Sequence, residues 1–349
     1  MWNTFSNSAL RSTMRLAVQP LRLQGGLAAS SCRAFASGPP KRVALLQDMQ
    51  IEQDKALGAI KEKGFEVTHH PEEFPDAWAL VTVVKPVTEE ILAQYPQCKL
   101  VAVSFTGFNH VDLDACKKRG ISVVNVPAYS TDSVAELSLG LTLAVMREIP
   151  MAERTIRCGG WAHSAGGNEI RNKTIGILGL GDNGLRTAEL FRAFHPAEII
   201  GWSRREKPAF TEAPISGKLV GLEELFERSD VVAVNMALNA QTQKFVSRDL
   251  MEKLKPEAVL VNVARGGVID QEAMCDLLNQ RRFRAGLDVF ETEPVPLNDP
   301  ILRVPPDQVV LTPHVAYKSK EALLRRMAIT AENIAKFADG TPQNLVFSP

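Results

Sequence analysis

The sequence predicts an α/β fold, two domains each built on a parallel sheet and facing one another across an active-site cleft. Three observations carry that expectation. From Lys41 onward, short β-branched runs alternate with longer helical patterns, the order that lays parallel strands beneath crossover helices. The alternation starts twice, the second time with six strand-like runs, the number in a doubly wound sheet. A glycine-rich turn follows the first strand of that second series, and the length of 349 residues suits two domains.

Residues 43–46, 79–84 and 100–104 read as strands of the first unit, with helices near 51–63, 88–94 and 112–118. A long, mostly apolar helix over 131–147 links the units, with Ser130 or Thr131 available as its N-cap. The second unit reads as strands 174–178, 198–202, 231–234, 259–263, 285–288 and 309–311. A last amphipathic helix, 319–337, ends at Asp339-Gly340, where glycine closes the helix in the left-handed conformation. These elements divide the chain into a first domain of residues 36–129 plus 318–349 and a second of 130–317, both Rossmann-like or flavodoxin-like.

Charge separates off the first stretch. The chain carries 40 Lys+Arg against 40 Asp+Glu, a neutrality that offers no nucleic acid a basic surface. Yet no acidic residue precedes Asp48, where the chain average would supply about five. Arg11, Arg15, Arg22 and Arg33 lie there among Ser, Thr, Ala and Leu, and Leu10, Met14, Val18 and Leu21 recur at helical spacing, interrupted at Pro20. That composition is expected of an organelle transit peptide over residues 1–35, mitochondrial by its cleavage-like Arg33-Ala34-Phe35. A plastid presequence shares the bias. Without it, 36 Lys+Arg stand against 40 Asp+Glu, a net −4. The most apolar stretch, Leu137 to Met146, has ten residues, short of the roughly 20 of a membrane span. Cys98, Cys116, Cys158 and Cys275 form no Cys-x-x-Cys pair, so neither a zinc site nor any other metal is expected.

Gly179-Leu180-Gly181-Asp182-Asn183-Gly184 is a G-x-G-x-x-G run between a strand and a helical stretch, 185–194, the context that gives this otherwise weak pattern its meaning. Gly179 permits the tight turn, Gly181 lets backbone approach a pyrophosphate, and Gly184 lets helix and strand pack closely. With Asp182 and Asn183 these form the expected phosphate cradle at a helix N-terminus. The end of the next strand selects the dinucleotide, because a carboxylate there accepts from a free ribose hydroxyl and repels a 2′-phosphate. Here it reads Ser203-Arg204-Arg205, with no carboxylate until Glu206. Two guanidinium groups and no acid predict NADPH as the preferred cofactor, with NADH as the second choice.

Three polar residues follow later strands of this unit: Arg265 in Asn-Val-Ala-Arg-Gly-Gly, Glu293 in Asp-Val-Phe-Glu-Thr-Glu-Pro, and His314 in Thr-Pro-His. A cation, a carboxylate and an imidazole are the groups that reduction of a keto acid requires: a clamp, a proton donor, and a group that keeps the donor protonated. Singly each has an ordinary structural reading, and His69, His70, His110, His163 and His195 lack such company in sequence.

In this order, the glycine run, the strand-end Arg-Gly, the Asp-Val-Phe-x-x-Glu-Pro segment and the late Pro-His resemble the D-isomer-specific 2-hydroxyacid dehydrogenases, over nearly everything from Lys41 to Phe347. The resemblance implies that Arg265 binds the substrate's carboxylate and carbonyl, that His314 is the general acid, and that Glu293 hydrogen-bonds it. It also implies that Asp288 holds the nicotinamide carboxamide, and that Val263 and Ala264 lie along the cofactor. Thr106-Gly107-Phe108 matches the family loop that receives the substrate, with the amides of Gly107 and Phe108 as donors. The 131–147 helix is where family members pair, so a homodimer is expected. Asp182 stands where many relatives carry arginine, and Ala237 where proline is common.

Among family members, formate dehydrogenases carry glutamine at the place of Glu293, and phosphite dehydrogenases carry lysine at the place of Thr106. Phosphoglycerate dehydrogenases often extend well past the position of Pro349. The resemblance is therefore strongest to glyoxylate/hydroxypyruvate reductases and glycerate dehydrogenases, implying NADPH-dependent reduction of hydroxypyruvate or glyoxylate. A second class resembles the chain too: co-repressors of this fold bind nicotinamide cofactors to regulate assembly with protein partners. Its import-like N-terminus and lack of a basic patch argue for the enzyme.

Overall fold

The structure is a computed structural model that describes residues 41–161 and 166–349. The expected transit peptide and His163 lie outside the described residues. In chain order the strands are β1 Arg42–Leu45, β2 Glu66–Thr68, β3 Ala79–Thr82, β4 Leu100–Val103, β5 Ser122–Val124, β6 Thr174–Leu178, β7 Glu198–Trp202, β8 Lys218–Leu219, β9 Val231–Val234, β10 Val259–Asn262, β11 Arg284–Leu287, β12 Val309–Leu311 and β13 Leu345–Phe347. They form two sheets. The first runs β13-β5-β4-β3-β1-β2 and the second β12-β11-β10-β9-β6-β7-β8. All neighbours are parallel except β13, which pairs antiparallel with β5.

Without β13, the first sheet has the flavodoxin order, and the second has the dinucleotide-fold order with one strand added. Both orders reverse beside their first strand, β1 or β6, and ligand sites form where the chain leaves the carboxyl ends of such strands. Every residue of β3, β4, β9, β10 and β11 is buried, because helices cover both faces of a parallel sheet. That double burial explains why these strands are mostly apolar in the sequence, with Thr82, Asn262 and Arg284 at strand ends as the exceptions.

The differences from the sequence reading are in the short elements. The first sheet holds six strands instead of three, and the second seven instead of six. The additions β2, β5 and β13 are three residues long and β8 two, too short for periodicity to register. The helix after the glycine run spans Asp182–Arg192, starting three residues before the expected Leu185, with Gly181 at its N-cap. The linking helix spans Thr131–Met146, but neither expected cap holds it: Ser130 makes no side-chain cap bond, and the Thr131 hydroxyl donates back to the Ala128 carbonyl. One face of this helix, including Val134, Leu141 and Val145, is buried within the chain itself. The last helix, Lys320–Ala338, is followed by left-handed Gly340 as the sequence suggests, while Ser319, expected as its first residue, is instead its side-chain N-cap. No described helix is long and apolar enough to cross a membrane.

Candidate functional site

The glycine run behaves as a phosphate cradle should. A Cβ on Gly184 would stand 2.0 Å from the Gly179 carbonyl oxygen, so only glycine lets helix and strand approach there. A Cβ on Gly181 would meet nothing within 4 Å, which leaves space over the turn for a ligand. The first bond of the helix runs from the Leu185 N–H to the Gly181 carbonyl, so the amides of Asp182, Asn183 and Gly184 have no intrahelical acceptor. A dinucleotide pyrophosphate fits this donor set. Asp182 itself is exposed.

At the end of β7, Ser203 is half-buried and forms a local turn with the Arg205 backbone, while Arg204 and Arg205 are exposed. Neither guanidinium has an ion-pair or hydrogen-bond partner among the described residues. Two free cations beside the cradle suit a ligand phosphate.

The catalytic candidates are brought together by backbone contact. A Cβ on Gly266 would overlap the Phe290 carbonyl, at 1.9 Å from its carbon, so this glycine lets the loop after β10 lie against the loop after β11. Arg265 precedes that contact and Glu293 follows it. Asn262 braces the first loop, accepting from the Ala264 N–H at 3.0 Å and donating to the Arg265 carbonyl at 3.0 Å. Val263 is buried and Ala264 half-buried beside it.

Glu293 accepts from the Phe290 N–H at 2.9 Å through one oxygen and lies 2.6 Å from His314 Nδ1 through the other. Burial alone would raise its carboxyl. The hydrogen bonds from His314 and Phe290 and the charges of His314 and Arg265 outweigh that, holding it below its ordinary value. An ionised carboxylate only accepts, so Nδ1 carries the shared proton, and Nε2 has no hydrogen-bond partner among the described residues.

His314 sits at φ 52°. Its N–H donates to the Asp288 carbonyl at 2.8 Å. The Asp288 carboxylate, fully buried, takes the Thr312 hydroxyl at 2.6 Å and the N–H groups of Val315 and Ala316 at 2.9 and 2.8 Å. Asp288 thus anchors the whole turn that carries the imidazole, a role the sequence does not announce.

The other wall comes from the loop after β4. A Cβ on Gly107 would stand 3.3 Å from Arg265 Nη2, which places this loop against the Arg265 guanidinium. The Thr106 hydroxyl donates to the Val126 carbonyl at 3.0 Å, and Asn125 donates to the Thr106 carbonyl at 2.8 Å. The Gly107 and Phe108 amides have no acceptor among the described residues. His110, in the same loop, keeps a buried Nε2 without a partner, and burial lowers its pKa. His69, His70 and His195 are exposed and outside this cluster. No group of three or more His, Cys, Asp or Glu among the described residues is placed to hold a metal.

Known proteins bear on this arrangement. A profile described as "D-isomer specific 2-hydroxyacid dehydrogenase, NAD binding domain" matches residues 139–316. A glyoxylate reductase of Thermofilum pendens is 33% identical over 309 residues, covering 83% of this chain and 90% of that protein. A D-3-phosphoglycerate dehydrogenase of Mycobacterium bovis is 35% identical over 84% of this chain, which spans 54% of that protein's length. Among solved structures, an acyclic imino acid reductase in complex with NADPH and D-Arg superimposes with a TM-score of 0.76 at 28% identity, covering 88% of this chain and 100% of that one.

Proposed function

The chain belongs to the D-isomer-specific 2-hydroxyacid dehydrogenase family and is an NAD(P)-dependent oxidoreductase of that kind, and from that premise we propose that it reduces hydroxypyruvate or glyoxylate, giving D-glycerate or glycolate, with NADPH as the preferred donor. The observation that carries this is the 2.6 Å bond between Glu293 and His314 Nδ1, formed beside Arg265.

The bound dinucleotide supplies the hydride. The chain does the rest. The free amides of Gly107 and Phe108, with Arg265, receive the substrate carboxylate, and Arg265 also polarises the ketone. His314 Nε2 delivers its proton to the oxygen as negative charge develops there, and ionised Glu293 keeps the ring oriented and compensates its charge. Asp288, fully buried with three donors on its carboxylate, serves by holding the turn that carries His314. Arg204 and Arg205 meet the 2′-phosphate, a reading that the NADPH complex of the imino acid reductase supports.

The same reading extends to two domains, residues 36–129 plus 318–349 and 130–317, closing on the substrate, to a homodimer through the exposed face of the 131–146 helix, and to a mitochondrial matrix address removed at about residue 35. The mycobacterial relative supports a second reading, oxidation of 3-phosphoglycerate. A panel of hydroxypyruvate, glyoxylate, pyruvate and 3-phosphohydroxypyruvate against NADPH and NADH decides between them. Turnover of the first two with a higher kcat/KM for NADPH is expected. No turnover of either overturns the substrate, and a preference for NADH overturns the cofactor.

A further inference from the structure

A second polar cluster adjoins His314. The Tyr317 ring stands edge-on to the imidazole, with centroids 5.8 Å apart and an interplanar angle of 86°. It also stands edge-on to Phe105, immediately before the substrate loop, at 5.2 Å. Its hydroxyl lies 3.1 Å from Gln50 Oε1, and Arg326 Nη1 lies 3.3 Å from the same atom. A guanidinium can only donate, so the atom it meets must be the amide's carbonyl oxygen. The orientation of the Gln50 amide is thereby settled by chemistry: Oε1 takes two donors, and Nε2 has no acceptor among the described residues. The backbone agrees that this side chain is held on purpose. Gln50 sits at φ 61°, where its N–H donates to Asp48 Oδ1 at 2.5 Å, a conformation that non-glycine residues keep mainly where the surroundings impose it.

The cluster is rich in donors and short of acceptors. Arg326 is fully buried, donates through Nη2 to the Met49 carbonyl, and has no carboxylate among its hydrogen-bond partners. Its guanidinium lies 5.9 Å from the Tyr129 ring, and the two side chains are electrostatic partners, so the buried arginine meets a phenol and two carbonyl oxygens but no carboxylate hydrogen-bond acceptor among the described residues. The Gln50 Nε2 hydrogens are the donors of this cluster that no described residue takes, and an unpaired donor is costly unless an oxygen meets it. A 2-keto acid held at C1 by Arg265 and the Gly107 and Phe108 amides, and at C2 by His314, extends C3 beyond the imidazole. Past the Tyr317 ring, the Gln50 amide is a polar group with hydrogens to give.

We propose that Gln50 is a specificity residue that donates an Nε2 hydrogen to an oxygen on C3 of the substrate, making the protein a reductase of C3-oxygenated 2-keto acids that favours hydroxypyruvate over pyruvate and glyoxylate. Tyr317 and Arg326 are positioning residues that turn the amide. This rests on the reductase reading above and narrows its substrate.

Hydroxypyruvate and pyruvate differ by that one oxygen, so the ratio of their kcat/KM values isolates the contact. It is measured with NADPH on the full chain as wild type, Gln50→Ala and Tyr317→Phe, with the thermal midpoint of each as a fold control. The wild-type ratio is expected to exceed roughly 30. Gln50→Ala should lower it at least about tenfold, chiefly through KM for hydroxypyruvate. Tyr317→Phe, which removes a single oxygen and keeps the ring, should lower it about threefold to tenfold. Parallel losses on both substrates, or a ratio unchanged in Gln50→Ala, overturn the proposal while leaving the reductase standing. If Gln50→Ala does not fold, an unchanged ratio in Tyr317→Phe overturns it. Absence of turnover of every keto acid by the wild type overturns the reductase reading itself, and this inference with it.

Discussion

The two ends of the site are built on opposite principles. At the His314 turn nearly every polar group is committed before any ligand arrives: Asp288 takes Thr312, Val315 and Ala316, and Glu293 takes the imidazole. At the end of β7 the reverse holds, with Arg204 and Arg205 exposed and unpaired. Proton transfer succeeds only when donor and acceptor are already in place, and misplacement costs rate steeply. Recognition of a phosphate dianion needs charge within reach, and flexible arginines organise around the anion as it binds. The contrast predicts that damage at the first end lowers kcat sharply and that damage at the second shifts cofactor preference modestly.

The largest effect belongs to His314→Ala. Removing the proton donor should lower kcat/KM about 10²- to 10⁴-fold. The thermal midpoint should move little, because the imidazole is part-exposed and the turn is held by Asp288. Steady-state kinetics and calorimetry on the same preparation check both halves. A fall below tenfold would remove His314 from the chemistry and erase the distinction between the two ends.

Glu293→Gln should cost less, about 10- to 100-fold in kcat, since the donor remains and only its orientation and charge compensation suffer. The pH dependence sharpens the point. Glu293 titrates below its ordinary value in the folded protein, so its contribution to stability is fully present above the unfolded-state value of about 4.3 and is lost as pH falls through the lower folded value. The wild type should therefore lose stability relative to Glu293→Gln as pH drops from about 5 towards 3. A stability gap between the two that stays flat over that window would mean that the carboxylate is not held as the geometry indicates.

What was legible in the sequence was what is local in the chain. The cradle is six consecutive residues, and Arg265, Glu293 and His314 each follow a strand within a short run of recognisable neighbours. The helix start at Asp182 and the strands β2, β5, β8 and β13 escaped because two or three residues carry no period. The Ser130 cap failed for a different reason: the residue type is right, but its hydroxyl makes no bond to the helix. Gln50, Tyr317 and Arg326 left no signal, because the contacts that orient the amide join residues 267 and 276 positions apart. Only the fold brings them together. Asp288 is intermediate: its place in the pattern is visible, while its grip on the His314 turn is a tertiary fact.

The smallest effect, and the one that separates the two ends most cleanly, concerns the arginines. Each is exposed and its side chain makes no hydrogen bond or ion pair among the described residues, so Arg204→Ala and Arg205→Ala should leave the thermal midpoint unchanged. A charge-assisted contact to phosphate is worth about 1.5–3 kcal/mol when well formed and less when exposed. Each substitution should therefore raise KM for NADPH about threefold to tenfold, with kcat and the NADH parameters nearly untouched. Added salt should narrow the difference, because exposed charges are screened within about 10 Å at 0.1 M. Equal losses with NADH and NADPH would place these side chains on some common part of the dinucleotide, and the end of β7 would then not be reading the 2′-phosphate.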